Sequence, residues 1–157
     1  MPCCCEKHIK LTLLLPRANP QDYENLLLAQ KADLMHEQRM TEANFHTMPD
    51  GTRLAYRFTP GSGPTIVFLP GYMSDMAGGK ATAVFDWAAE NGRACLLLDY
   101  SGCGESDGDF ADGTLSRWRD EVLTLIEAVC DGPVLLAGSS MGGWLMLMIA
   151  LTPRSRS

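Results

Sequence analysis

The chain has 157 residues, a length that favours one domain. It is 46% hydrophobic, 20% charged and 8% aromatic, which places it in the ordinary globular range and excludes disordered and collagen-like sequence. Thirteen Lys+Arg against 19 Asp+Glu give a formal net charge of −6 without a basic stripe, so nothing marks the chain for nucleic acid.

No apolar run reaches the ~18 residues of a membrane span. The longest N-terminal apolar stretch, Leu11 to Leu15, is interrupted by Thr12, too short for a signal peptide's ~7–15-residue apolar region. Of the six cysteines, Cys3, Cys4 and Cys5 are consecutive, while Cys95, Cys103 and Cys130 are scattered. There is no CxxC and no Cys/His spacing suited to zinc, so no metal or cofactor is expected and the compartment reads as reducing and cytoplasmic. Palmitoylation of Cys3–Cys5 is the weaker reading, because no basic or myristoylation signal accompanies it.

Residues 1–39 differ in character from the rest of the chain. Asn19-Pro20 suits the cap of a short helix through Leu26, Leu27, Leu28, Ala29 and Leu34. The stretch from Met40 reads like the start of a soluble domain, so residues 1–39 are expected to be an extension outside the core formed by 40–157.

From Phe45 the pattern becomes regular. Residues 45–48 and 53–58 read as short strands joined by the turn Pro49-Asp50-Gly51-Thr52. Gly61-Ser62-Gly63-Pro64 reads as a break, and Thr65-Ile66-Val67-Phe68-Leu69 as a strand covered on both faces. A helix over about 80–91 ends at Gly92, and Ala94-Cys95-Leu96-Leu97-Leu98 is the next buried strand. Leu115, Trp118, Val122, Leu125, Ile126 and Val129 recur at helical spacing, up to Asp131-Gly132-Pro133. Val134-Leu135-Leu136-Ala137 is a third buried strand, followed by a Gly-rich turn and an apolar helix over 144–151. Buried strands alternating with helices predict an α/β fold, mostly parallel sheet with flanking helices.

Each buried strand runs into a Gly-containing loop, at the carboxyl end where ligands gather in open parallel sheets. Gly79-Lys80 fails as a phosphate-binding loop: Ser74 stands where Gly is needed, Ala81 where Ser or Thr is needed, and Asp75 would repel a phosphate. Gly102 and Gly104 begin a dinucleotide-like pattern, but Asp107 occupies the third glycine position and no helix starts before Leu115. That acidic loop reads as a structural turn.

Gly138-Ser139-Ser140-Met141-Gly142 matches G-x-S-x-G between a strand and a helix. Glycines at 138 and 142 allow a sharp turn that lifts the Ser140 hydroxyl above the sheet, and the helix N-terminus beneath it favours an oxyanion. Ser140 is the expected nucleophile and Ser139 the variable position. The loop after the first buried strand supplies the second oxyanion donor in this arrangement, so the N–H groups of Tyr72 and Met141 are the expected pair.

These stretches resemble the α/β-hydrolase superfamily, and within it the acyl-protein thioesterases of the abhydrolase-domain group. The resemblance runs from about Thr65 to Leu147, through Phe68-Leu69-Pro70-Gly71-Tyr72-Met73-Ser74, the loop 99–108, Thr114-Leu115-Ser116-Arg117-Trp118-Arg119 and the run from Asp131 through Ser140 to Leu147. It implies hydrolysis of acyl esters or thioesters, S-palmitoyl cysteine included, with Ser140 as nucleophile and Asp99 structural. It also implies the mitochondrial matrix as a second compartment to weigh.

In this fold the order is Ser, then Asp or Glu, then His. The 17 residues after Ser140 contain none of these, and His8, His36 and His46 all lie upstream. The triad acid and base are therefore absent from this sequence. Trp144 reads as core, because residues 144–151 are apolar on every face. The expectation is the N-terminal part of an α/β-hydrolase fold, truncated after the nucleophile helix and inactive on its own. The alternatives are an inert fragment or interaction module that self-associates through an open sheet edge, or a cofactor-free haloperoxidase. The expected partner is a small-molecule or protein-linked acyl ester or thioester.

Overall fold

In a computed structural model of the chain, the apolar runs at 65–69 and 94–98 lie side by side as parallel strands, β3 (Ser62–Leu69) and β4 (Arg93–Leu98), with Val67 opposite Leu96. The structure describes residues 19, 21, 24–31 and 42–152. Antiparallel to β4 runs β2 (Arg53–Thr59), and antiparallel to β2 runs β1 (Asn44–Thr47). On the other side of β3 lies parallel β5 (Val134–Gly138), with Leu136 opposite Val67. The sheet order is β1-β2-β4-β3-β5.

Three helices connect or follow these strands. Helix α1 (Gly79–Glu90) joins β3 to β4, α2 (Leu115–Val129) joins β4 to β5, and α3 (Met141–Leu151) follows β5. Successive residues of a strand face opposite sides of the sheet. Ile66, Phe68, Cys95 and Leu97 accordingly pack with Phe85 and Ala88 of α1. Val67, Leu69, Leu96 and Leu98 pack with Val122, Leu125 and Ile126 of α2 and with Leu145 and Ile149 of α3. Thr114 caps α2 by accepting the Arg117 N–H at 3.1 Å. From β3 the chain goes first to β4 and then back across β3 to β5, which makes the carboxyl end of β3 a topological switch point.

The chain divides into two units, Met1–Leu34 and Met35–Ser157. In the first, residues 24–31 are helical and Leu26, Leu27 and Leu28 are exposed. Leu34, Cys3, Cys4, Cys5, His8 and His36 lie outside the described residues.

Four details differ from the sequence pattern. The expected break at 61–64 is partly strand: β3 begins at Ser62, and Gly63 (φ +74°) is absorbed by a register shift between Ser62 and Ile66. Helix α3 begins at Met141, so Gly142 and Gly143 are helical, contrary to a helix starting at Trp144. A 3-10 turn at Phe110–Asp112, which no periodicity marks, is capped by Asp109 accepting the Ala111 N–H at 2.9 Å. Finally, β5 and α3 are not enclosed. Leu135 is 56% exposed because β5 is the outer strand, and Trp144, expected in the core, is 67% exposed.

Candidate active site

Ser140 is the second of the two residues between β5 and α3, and its backbone has φ 53° and ψ −115°. A non-glycine residue at positive φ is uncommon and costs on the order of 1–3 kcal/mol, so the surrounding contacts must impose it. They are visible. Ser139 N–H donates to Leu69 O at 3.1 Å, Gly142 N–H to Ser139 O at 2.9 Å and Gly143 N–H to Ser140 O at 2.9 Å. The turn also presses on its neighbours: a Cβ at Gly142 would strike the carbonyls of Leu69 and Pro70, and one at Gly138 would strike the Gly142 carbonyl. Glycine at both positions lets the end of β3 and the start of α3 approach this closely. Ser140 is exposed, and its hydroxyl bonds to none of the described residues.

Two backbone N–H groups have fixed directions and no acceptor among the described residues. The Gly71 carbonyl accepts the Ser74 N–H at 3.1 Å. Across a planar trans peptide this turns the Tyr72 N–H the opposite way. The Ser140 carbonyl, held by Gly143, does the same for the Met141 N–H, which opens α3 and has no intrahelical partner. Gly71 brings the two segments together: a Cβ there would lie 3.1 Å from Ser139 O and 3.4 Å from Ser140 Cβ.

The loop carrying Tyr72 is held from the β4 side by groups that the sequence did not reveal. Tyr100 Oη donates to Pro70 O at 3.1 Å, and the Tyr100 ring stacks on Trp118 at 5.4 Å. Trp118 Nε1 donates to Ser101 O at 3.1 Å, and buried Glu121 accepts the Ser101 N–H at 2.9 Å. Asp99, 1% exposed, accepts the N–H groups of Met76 at 2.7 Å and Glu105 at 2.9 Å. Burial pushes its carboxyl pKa above the ordinary value, against the lowering effect of those two backbone bonds. In the sequence Asp99 closes a buried strand and the family resemblance implies a structural role, but its partners, 23 and 6 residues away, carry no local signal.

Two clefts flank residues 70–78. One, of about 230 Å³, is bordered by Phe68, Gly71, Lys80 and Ser139, whose Oγ accepts from Lys80 Nζ at 3.2 Å. The other, of about 240 Å³, lies between residues 73–75 and 102–104 beside Phe110. His46 sits half-buried on β1 at the far edge of the sheet, four strand spacings from β5, or about 19 Å at ~4.8 Å each. Among the described residues no group of three or more His, Cys, Asp or Glu side chains is placed to hold a metal. No described helix is long and apolar enough to cross a membrane.

Comparison with known proteins adds a family. Human palmitoyl-protein thioesterase ABHD10, mitochondrial, is 46% identical over 114 residues, which cover 73% of this chain and 37% of the human protein. The mouse protein of the same name is 40% identical over 145 residues, covering 92% of this chain and 46% of its own length. The structure of mouse alpha/beta hydrolase domain-containing protein 10 superposes with a TM-score of 0.67 at 44% identity, over 70% of this chain and 44% of that one. A putative hydrolase from Agrobacterium vitis superposes at 0.63 with 37% identity, over 69% and 44%. The chain thus spans less than half the length of these relatives. The model of the alpha/beta hydrolase family matches residues 66–156, more than half of the chain, and the protein belongs to that family.

Proposed function

We propose that Ser140 is the nucleophile of a hydrolase acting on acyl esters and thioesters, that Tyr72 and Met141 N–H form its oxyanion hole, and that Gly138 and Gly142 are its elbow glycines. The observation that carries this reading is the strained backbone of Ser140 at φ 53°, with an exposed hydroxyl that bonds to none of the described residues, at the N-terminus of α3. Strain of this kind, imposed by close packing, is a mark of functional positions. In the reaction, Ser140 Oγ attacks the acyl carbon and its proton passes to a base. The tetrahedral oxyanion accepts the two N–H groups, the thiol or alcohol leaves with the proton, and water releases the acid. The names of the relatives favour an acyl thioester substrate and a mitochondrial location over the cytoplasm. Residues 40–157 carry the hydrolase part, and 1–39 lie outside it.

The base and the acid that orients it are not in this sequence, which has no Asp, Glu or His after Ser140. In a serine protease, loss of the base alone costs about 2 × 10⁶ in kcat. The 157-residue chain is therefore inactive by itself, and it becomes active when joined to the second half of a relative such as the human thioesterase. The test is turnover of p-nitrophenyl esters and S-palmitoyl peptides by the chain, by such a chimera and by the chimera carrying Ser140→Ala, together with fluorophosphonate labelling of Ser140. Turnover by the short chain at the chimera's rate, or an unimpaired Ser140→Ala chimera, overturns the reading.

A second reading has its own observation. Trp144, Leu147 and Leu151 form an exposed apolar face on α3, and Leu135 is separately exposed on β5 at the edge of the sheet. Such a face favours self-association by a catalytically inert chain.

A further inference from the structure

We propose that the cleft between residues 73–75 and 102–104 binds an organic ammonium group of the alkylammonium or trimethylammonium kind. None of Tyr72, Ser140 and Met141 lines this cleft, so the proposal stands apart from the catalytic reading above. Its first support is the lining. A thioether (Met73), an aromatic ring (Phe110), a thiol (Cys103) and one carboxylate (Asp75) border the cleft, and among the described residues no Lys or Arg does. The Phe110 ring is held by its neighbours, with Tyr72 edge-on at 5.2 Å and Trp118 at 5.6 Å. A cation over the face of a ring fixed in this way gains about two- to thirtyfold in affinity, the more so as water is excluded.

The second support is charge. Asp75 is half-buried, accepts the Ala77 N–H at 3.0 Å and forms no ion pair among the described residues. Lys80, which borders the neighbouring cleft together with Asp75, donates instead to Ser139. Burial pushes the Cys103 thiol up to about 11, and the carboxylates of Asp99, Glu121 and Asp75 push it the same way. The thiol is therefore neutral, and the field at this point of the cleft is that of its carboxylates. A hard metal ion does not suit such a lining: Ca²⁺ takes about six to eight oxygen ligands, and among the described residues no three His, Cys, Asp or Glu are placed to hold an ion. A weakly hydrated organic cation needs only aromatic and polarizable surface with an anion nearby, and the cleft offers both.

The third support is the backbone at Met73. Ser74 N–H donates to Gly71 O at 3.1 Å, closing a turn with Tyr72 and Met73 at its centre. Met73 has φ 51°, at the turn position where φ is positive and glycine is the usual residue. The turn thus carries a strained methionine where glycine would sit without cost, and its exposed, polarizable thioether borders the cleft. The size limits the ligand: about 240 Å³ lies below the ~300–1,000 Å³ of drug-sized ligand sites and suits a group of a few heavy atoms.

The test is titration of the full chain with choline and with dimethylbutanol, its uncharged isostere, at constant ionic strength, followed by NMR of the backbone amides. Choline is expected to give saturable shifts at Met73, Cys103 and Gly104, and dimethylbutanol to bind about tenfold more weakly. Asp75→Asn keeps an acceptor for the Ala77 N–H but removes the charge, so it weakens choline about fivefold and leaves dimethylbutanol unchanged. Leu147→Glu, which adds a negative charge on α3, leaves the binding of both unchanged. Co-sedimentation with phosphatidylcholine vesicles that choline displaces assigns the group to a lipid headgroup, and choline binding without co-sedimentation assigns it to a free small ligand. Equal binding of the two probes, no saturable shift at the three amides, or an Asp75→Asn chain that binds choline as the parent does overturns the proposal.

Discussion

Asp99 accepts the Met76 N–H at 2.7 Å with one carboxylate oxygen while the other takes the Glu105 N–H at 2.9 Å, so one buried side chain ties the loop that follows β3 to the loop that follows β4. A Cβ at Gly104 would strike the same carboxylate, which shows how tightly the second loop closes on it.

The pH behaviour of that link is set by the direction of its shift. Burial raises the folded pKa of Asp99, so the folded state holds its proton above the ordinary value of 3.8. The stability this group contributes is full below the unfolded pKa and is lost as pH rises through the folded one. Asp99→Asn resembles the protonated form. We expect it to match the parent in acid and to gain on it as pH rises through that window, read by urea denaturation at several pH values. Asp99→Ala, which orphans two buried N–H groups, is expected to cost about 1–3 kcal/mol per group. The Asn variant keeps only one acceptor for two loops, so amide exchange at Met76 or Glu105 speeds up even where global stability rises. Unchanged exchange at both amides would contradict the link.

Ser140→Gly isolates the backbone strain from the hydroxyl. Glycine occupies positive φ without penalty, so the variant is expected to be more stable by about 1 kcal/mol, net of the extra backbone entropy that glycine loses on folding. Thermal unfolding measures it. A loss of stability would mean that the surroundings do not force φ 53° on this residue.

Adjacent glycines of α3 should respond in opposite directions. A Cβ at Gly142 meets the backbone of Leu69 and Pro70, so Gly142→Ala is expected to cost about 1–3 kcal/mol, since strand or helix must shift. Nothing lies within 4 Å of a Cβ at Gly143, and Gly143→Ala is expected to stabilise by about 0.5–1 kcal/mol through helix propensity. Equal effects from the two, in the same unfolding experiment, would show that the close approach at Gly142 is relaxed.

Much of this arrangement was legible because it is local. Apolar runs such as 65–69 and 94–98 specify doubly covered strands, Gly92 marks the end of α1, and Gly138 to Gly142 specify a tight turn before a helix. The features that stayed hidden depend on contacts between segments far apart in the chain. Periodicity does not report that Tyr100 reaches Pro70, that Lys80 reaches Ser139 or that Asp99 reaches Met76. Trp144 was misplaced for a related reason: an apolar helix reads as buried, but burial depends on which elements lie around it, and in α3 this side chain meets solvent.

The exposed face of α3 leads to the last expectation. Trp144, Leu147 and Leu151 lie outside the core that Leu145 and Ile149 enter, so their replacement removes apolar surface without opening a cavity. Burying a side chain of this size contributes about 1.5–3 kcal/mol, enough to hold copies together at micromolar concentration only when several act in concert. If the 157-residue chain self-associates through this face, sedimentation equilibrium will show a concentration-dependent mass. Leu147→Glu, which places a charge in the middle of the apolar strip, should return the protein to a monomer with its thermal unfolding midpoint unchanged. A variant that still associates to the same degree would transfer the contact to the open edge at β5, where Leu135→Lys is the corresponding test, because a lysine on an edge strand blocks pairing with a second sheet.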